Sequence, residues 1–339
     1  MSSAQPSPLG PKEVAHDATW LAQALDPAQD SVRLIAMDRE SYRAASFLDD
    51  RLLQATVTAH IVPWPPVEQA LVSNPRRDAR WIFHIGHVGS TLISRMLGEM
   101  SGVLAVREPR LLRDLAMCPP DVRSRYVGTV TKLMSRTFAV DEFACVKATS
   151  FVSEIAPDLV PPGERALLMY ATPHNYIASI LAGENSVQEL RMLADSRAQR
   201  MARRVGTLAV RNDGELAAAA WACEMTALEA AAEAMTERQV EWAEFDRMLA
   251  DMPAELTRIA SFFGFPADQA ELQAIAEGPL LARYSKALEY DYSPSLRSEL
   301  IAEAGAFHRS DIDGALAMLG RAAEKSPLLA RALGRAGEA

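Results

Sequence analysis

The sequence predicts an α/β fold in three layers, a parallel sheet flanked by helices, with a helical N-terminal extension and a helical C-terminal region. Three observations carry this reading. Short, nearly continuous apolar runs, the mark of strands buried on both faces, alternate with stretches of helical period. Glycine or proline punctuates most of the joins, as in strand–helix–strand units. The chain has 339 residues, of which 49% are apolar, enough for a large core. At roughly 150 residues per domain, that length suits two units or one large domain with an appendage.

Residues 1–12 are Ser/Pro-rich and read as a flexible tail, and 13–79 as an extension packing on the core. From Ala15 to about Ala70 the pattern is broken helix, with Leu21, Ala24 and Leu25 on one apolar face. Ile61-Val62-Pro63-Trp64-Pro65-Pro66 is expected to be extended, because proline opposes helix and restricts its predecessor. Trp81-Ile82-Phe83-His84-Ile85 is the first buried strand, which Gly86 and Gly89 break before a helix resumes at 91–97. A second strand at 103–106 precedes helical stretches at 111–117 and 123–138. A third at 143–146 leads into Lys147, and a fourth at 166–170 leads into Pro173 and a helix to Leu181. Residues 186–204 and 214–237 read as long helices, the second Ala-rich, with Trp221 and its Met/Ala stripe as core. The last strand falls at 239–242. The α/β domain is bounded at 80–290, with C-terminal helices over 291–339.

Charge and cysteines narrow the function classes. Lys+Arg 35 against Asp+Glu 44 gives 35 − 44 = −9, which argues against nucleic acid and anionic lipid as partners. A local basic pocket is compatible with that balance. Cys118, Cys145 and Cys223 are odd in number and lack Cys-x-x-Cys spacing, so neither a disulfide framework nor structural zinc is implied. Residues 1–11 lack the basic start and apolar stretch of a signal peptide, and no run approaches the roughly 20 apolar residues of a membrane span. A cytoplasmic protein is expected.

The most informative segment is His84-Ile85-Gly86-His87-Val88-Gly89-Ser90-Thr91-Leu92-Ile93. A buried strand stops, glycines permit a tight turn, and a helix opens on hydroxyl residues. Such a turn aims backbone N–H groups and the helix's positive end at one point, where an anion can bind. A plain βα turn capped by Ser or Thr is the competing explanation. Walker A chemistry is disfavoured, since Ser90 stands where its lysine should be and His84 where its first glycine should be. No later strand is expected to end in the carboxylate that would hold Mg²⁺. Three of six histidines, His84, His87 and His174, fall in loops expected to meet at the strand ends. No spaced Cys/His/Asp set joins them, so no metal is expected.

At this point the chain resembles the P-loop sulfotransferases that use 3′-phosphoadenosine 5′-phosphosulfate, as a divergent member. Gly89, Ser90, Thr91 and Leu92 match the second half of their loop, Gly-x-Pro-[Arg/Lys]-Ser-Gly-Thr-Thr-Leu, and the family's basic residue falls at His87. Arg107-Glu108-Pro109-Arg110 resembles the acidic motif after the first helix, and Val146-Lys147 the strand-end lysine. Val240-Glu241-Trp242-Ala243-Glu244-Phe245 and then Ile259 to Phe265 resemble the late strand, acidic turn and helix end, so the likeness spans roughly residues 80–290.

The resemblance implies roles. Gly86, His87, Val88, Gly89, Ser90, Thr91 and Leu92 would cradle the 5′-phosphosulfate. Lys147 would neutralise the departing phosphate, and Glu108 would take the acceptor's proton, with His87 as alternative base. His174, Ser179, Ser285 and Lys286 would complete donor binding. The family holds the 3′-phosphate with a strand-end arginine and a serine eight residues later; here the serine is Ser179 but Ala171 stands for the arginine. Losing a bidentate guanidinium is not conservative, so Arg165, Arg203, Arg204 or His174 must serve, or the donor binds weakly. The expected activity is sulfuryl transfer to a hydroxyl or amine on a small-molecule or peptide acceptor, leaving adenosine 3′,5′-bisphosphate. The alternative is a non-catalytic relative that binds a nucleotide or phosphate ligand or acts as a scaffold. Competing structural explanations are that Glu108 is salt-bridged to Arg107 or Arg110 and that Lys147 is a solvated charge.

Overall fold

The computed structural model describes residues 10–54, 57–282 and 293–337. Its strands are β1 (Trp20–Asp26), β2 (Ser31–Ala36), β3 (Ala59–Pro63), β4 (Arg80–His84), β5 (Val103–Arg107), β6 (Phe143–Lys147), β7 (Arg165–Tyr170) and β8 (Gln239–Glu244). The last five form one parallel sheet in the order β5-β6-β4-β7-β8. Successive residues of a strand face opposite sides, yet β5 is buried at every position and β4, β6 and β7 at all but the first. Both faces are therefore covered, which is why these strands read as unbroken apolar runs.

The Ala-rich helix Asp213–Ala234 is apolar on nearly all sides because it is surrounded. It packs against Pro173–Leu181, Ala194–Met201, Arg309–Ala323 and Pro327–Ala336. Trp221 is fully buried within it. Among the described residues no helix is long and apolar enough to cross a membrane. The three cysteines are free and buried, and burial pushes the Cys145 and Cys223 thiols up to about 12.

Two expectations for the N-terminal region are corrected. Residues 20–63 are built on a three-stranded antiparallel sheet, β1-β2-β3, rather than on broken helix. The cause is a bulge: the β1–β2 register shifts between Ala22 and Ala24. That extra residue turns the period of two into the spacing of Leu21, Ala24 and Leu25, which imitates a helical face. The proline run is extended only to Pro63. Pro65 and Pro66 then open the helix Trp64–Ala70, where a missing N–H costs nothing because first-turn N–H groups have no intrahelical acceptor. The segment 186–204 is likewise two helices, Glu184–Met192 and Ala194–Met201.

Buried guanidinium groups fasten this extension to the core. Arg107, 1% exposed at the end of β5, donates to the carbonyls of Tyr42, Arg43 (3.1 Å) and Ala45 (2.9 Å). Arg136 does the same for Val14, Asp17 (3.0 Å) and Trp20 (2.7 Å). Burial lowers the pKa of Arg107 to about 9 and that of Arg136 to about 10. Arg107 is therefore committed to carbonyls and is not the partner of Glu108. Removing it by Arg107→Ala strands three acceptors, and urea unfolding should show a loss of about 2–4 kcal/mol. Arg191→Ala, which breaks an exposed pair with Asp213, should leave the unfolding midpoint almost unmoved in the same assay. Equal losses would mean that the carbonyl cluster is not what holds the extension.

Candidate active site

In the parallel sheet β4 comes first, the chain then moves to β5 and β6 on one side, and it crosses to β7 on the other. Such a reversal leaves a crevice at the carboxyl ends of the central strands, and the loop after β4 lies there. Gly86 and Gly89 have φ of 81° and 61°, the left-handed region that favours glycine. His87 shares it at 54°, and Glu108, in the loop after β5, at 53°. Side chains rarely adopt this conformation, and such strain collects at functional sites.

The helix Ser90–Glu99 begins at Gly89, which has no side chain to cap it. The N–H groups of its first turn thus have neither an intrahelical acceptor nor a side-chain cap. Thr91, 1% exposed, adds a hydroxyl with no hydrogen-bond partner among the described residues. Ser90, Val88 and Leu92 are buried around it. The Phe245 ring lies against Gly89, where any Cβ would collide with it. One amide expected to face an anion is already used: Gly86 N–H donates to His84 Nδ1 at 2.9 Å. That bond makes Nδ1 the acceptor and leaves the proton on Nε2, which stands 3.8 Å from Glu108 Oε1.

Glu108 and Lys147 are brought together. They lie at the ends of β5 and β6, where Arg107 pairs with Lys147 in register and the Glu108 N–H donates to the Lys147 carbonyl at 2.7 Å. The Lys147 ammonium, 0% exposed, bonds Glu108 Oε1, and the Thr149 hydroxyl donates to Oε2 at 3.3 Å. Lys147 is thus buried rather than solvated, and Glu108 is paired with it rather than with Arg107 or Arg110. Arg110 goes to Asp50 (2.8 Å) and Asp114 (3.2 Å) instead. The Phe47 ring lies 5.5 Å from the ammonium, so the N-terminal extension supplies a wall.

Other predicted residues scatter. His87 Nε2 is 3.9 Å from Glu189, and its ring meets Tyr176 edge-on. His174 packs against Gly305 and lines a separate cavity of about 240 Å³ with Arg309 and Asp313. Ser179 donates to the Tyr176 carbonyl within its own helix (2.9 Å). Ser285 and Lys286 lie outside the described residues. The cations expected to serve in place of an arginine at 171 are placed elsewhere: Arg165 bonds the Phe262 carbonyl (2.7 Å), Arg204 is held by Glu154 (2.7 Å), and Arg203 is exposed. Ala171 is buried, and its carbonyl accepts the Trp221 indole N–H at 2.9 Å.

Sequence reasoning missed one contributor, Arg297, and gave two quoted residues no such role. His84 stands between the loop and Glu108, with Nε2 3.8 Å from Oε1; its position at a strand end was the available signal. Arg297, from the helix Pro294–Phe307, bonds Asp246 (2.8 Å) and stacks on Phe245 at 4.7 Å. Its Nη2 is buried and has no acceptor among the described residues. Glu244 ends β8, against the expectation that no later strand ends in a carboxylate. It caps the following helix by accepting from the Asp246 (3.0 Å) and Arg247 (2.8 Å) amides. Burial holds its carboxyl above the usual range.

No protein-family model matches the chain, and no curated relative matches it. Similar solved structures include two sulfotransferase domains. One is the sulfotransferase domain from the curacin biosynthetic pathway, 12% identical, with 66% of this chain and 89% of that one covered at a TM-score of 0.43. The other is the sulfotransferase domain from the Synechococcus PCC 7002 olefin synthase, 15% identical, covering 67% and 94% at a TM-score of 0.33.

The loop geometry makes a direct prediction. Gly89→Ala forces a side chain into both a positive φ and the Phe245 ring, so it should destabilise the fold by about 1–3 kcal/mol. A Gly163→Ala control, at a positive φ with open space around it, should cost less. Chemical denaturation of both variants checks the order, and a milder effect at 89 than at 163 would place Phe245 elsewhere.

Proposed function

We propose that the protein transfers a sulfuryl group from 3′-phosphoadenosine 5′-phosphosulfate to a hydroxyl or amine acceptor. One observation carries this reading. An uncapped helix mouth, with the buried Thr91 hydroxyl unpartnered, stands one imidazole away from a buried carboxylate–ammonium pair. The mouth suits the oxyanion of a donor, and the pair suits transfer of a proton and neutralisation of a leaving phosphate.

In this mechanism the donor supplies an activated sulfuryl group. First-turn amides of the helix Ser90–Glu99 and the Thr91 hydroxyl hold its anionic end. The acceptor's proton passes to Glu108 Oε2, the oxygen held by the long bond from Thr149. The acceptor's O–S or N–S bond forms as the S–O bond to phosphate breaks. A carboxylate that takes a proton loses its hold on a neighbouring ammonium. Lys147 is then released toward the phosphate oxygen on which negative charge gathers. Proton uptake and leaving-group stabilisation are coupled through one ion pair. The strain at Glu108, φ 53°, fixes the carboxylate in the place where both events need it.

A second reading has a specific observation in its favour. Ala171 offers no guanidinium at the end of β7, and the Gly86 amide is spent on His84. Both fit a non-catalytic relative that binds a simpler phosphate ligand.

The two readings part on one experiment. Adenosine 3′,5′-bisphosphate should raise the melting temperature of the wild type, by the equivalent of about 2.7 kcal/mol at a hundredfold excess over Kd. Glu108→Gln should keep that shift while bisphosphate release from the donor, assayed with phenol and amine acceptors, falls about 10²–10⁴-fold. An unmoved wild type replaces transfer by the second reading, and undiminished turnover in Glu108→Gln removes the base.

A further inference from the structure

Helix Ala194–Met201 lies against helix Asp213–Ala234, and the segment 206–210 closes the space between them. What remains is a cavity of about 220 Å³ walled by Leu190, Met201, Leu208, Leu216, Ala219 and Ala220. Arg197 also lines it, and Arg197 is only 8% exposed.

A guanidinium group so largely buried needs compensation. Arg197 donates through Nε alone, to Glu224 Oε1 at 3.3 Å. The same carboxylate is claimed more tightly by Arg200 (2.5 Å), which also reaches Glu154 (3.2 Å), and Arg204 takes Glu154 by two bonds (2.7 and 2.9 Å). Three guanidinium groups therefore share two carboxylates, leaving a formal excess of one positive charge. Asp195, at the rim, is exposed and makes no ion pair among the described residues. The two terminal nitrogens of Arg197 have no protein acceptor among the described residues. They form the planar fork that matches a carboxylate with two parallel hydrogen bonds.

We propose that this cavity is a binding site for a small apolar carboxylate, its head on the Arg197 fork and its body against the aliphatic walls. The fork offers two parallel donors, which a single carboxylate satisfies. The volume lies below the roughly 300–1,000 Å³ of drug-sized pockets, so the body is a single ring or a short chain. The site sits close to the loop after β4, because helix Glu184–Met192 presents Leu190 to the cavity and Glu189 to His87 at 3.9 Å. Nothing in this inference requires a sulfuryl donor or an acceptor, so it stands or falls independently of the proposed reaction.

Titration of the full chain with benzoate and hexanoate, against benzamide and hexanol as neutral counterparts, tests it by thermal shift and calorimetry. A saturable shift is expected for at least one carboxylate, with the neutral counterpart at least tenfold weaker. Arg197→Gln should reduce that affinity at least tenfold. Ala219→Leu fills the cavity and leaves every charge in place, so it should abolish the shift in a folded protein, and it decides the matter if Arg197→Gln does not fold. The inference is overturned if neither carboxylate shifts the wild type, if the neutral compounds bind as tightly, or if Ala219→Leu binds like the wild type.

Discussion

Two opposite charges buried side by side, Glu108 and Lys147, set the terms for the rest of this structure. Taking both out of water costs several kcal/mol per ion, and their attraction repays this only when the geometry is held rigid. The sheet does the holding. β5 and β6 run parallel in register, and a backbone bond ties the Glu108 amide to the Lys147 carbonyl at 2.7 Å. The side chains therefore leave neighbouring strand ends at the same level. A hydrophobic pair of similar size would stabilise such a position at least as well. Stability alone therefore does not account for the pair, nor for the left-handed backbone at Glu108.

The N-terminal extension is the second half of that arrangement. Its carbonyls receive the buried guanidinium groups of Arg107 and Arg136, and its Phe47 ring faces Lys147. Arg107 immediately precedes Glu108. The residue that anchors the extension and the residue at the centre of the site therefore share one peptide unit. Loosening the extension would expose the ion pair to water, and exposure weakens the coupling between its two charges. Stability of the extension and electrostatics of the site are one problem here.

Legibility in the sequence followed burial. β4, β5, β6 and β7 announce themselves because both faces are covered, so no polar residue interrupts them. β1 is equally real but carries a bulge at Gln23, and one extra residue is enough to convert a strand's spacing into a helix's. The turn around Gly89 was readable because glycine and hydroxyl residues sit together in the chain. Glu108 and Lys147 were readable as candidates, each at a strand end. Their bond to one another was not, since it joins positions 39 apart and depends on strand order. The contact of Phe245 with Gly89, and Arg297 altogether, were invisible for the same reason: a ring or guanidinium placed by the C-terminal half leaves no local pattern near residue 89.

Position 171 suits alanine better than arginine. An arginine at 171 would start from a position whose carbonyl is fixed by Trp221 and whose surroundings are fully buried. Its guanidinium would have to leave an apolar setting to be of use, at a desolvation cost that alanine avoids. A different cation approaches the loop instead. Arg297 is oriented by Asp246, which Asn175 also holds at 2.9 Å, so the carboxylate links the helix after β7 to the C-terminal helix. The guanidinium then stacks on Phe245, the ring that lies against Gly89, with Nη2 buried and unsatisfied. A buried donor without an acceptor is costly unless a ligand completes it. Arg297, on a helix some 120 residues after Ala171, thus brings positive charge to the ring that lies against the loop after β4.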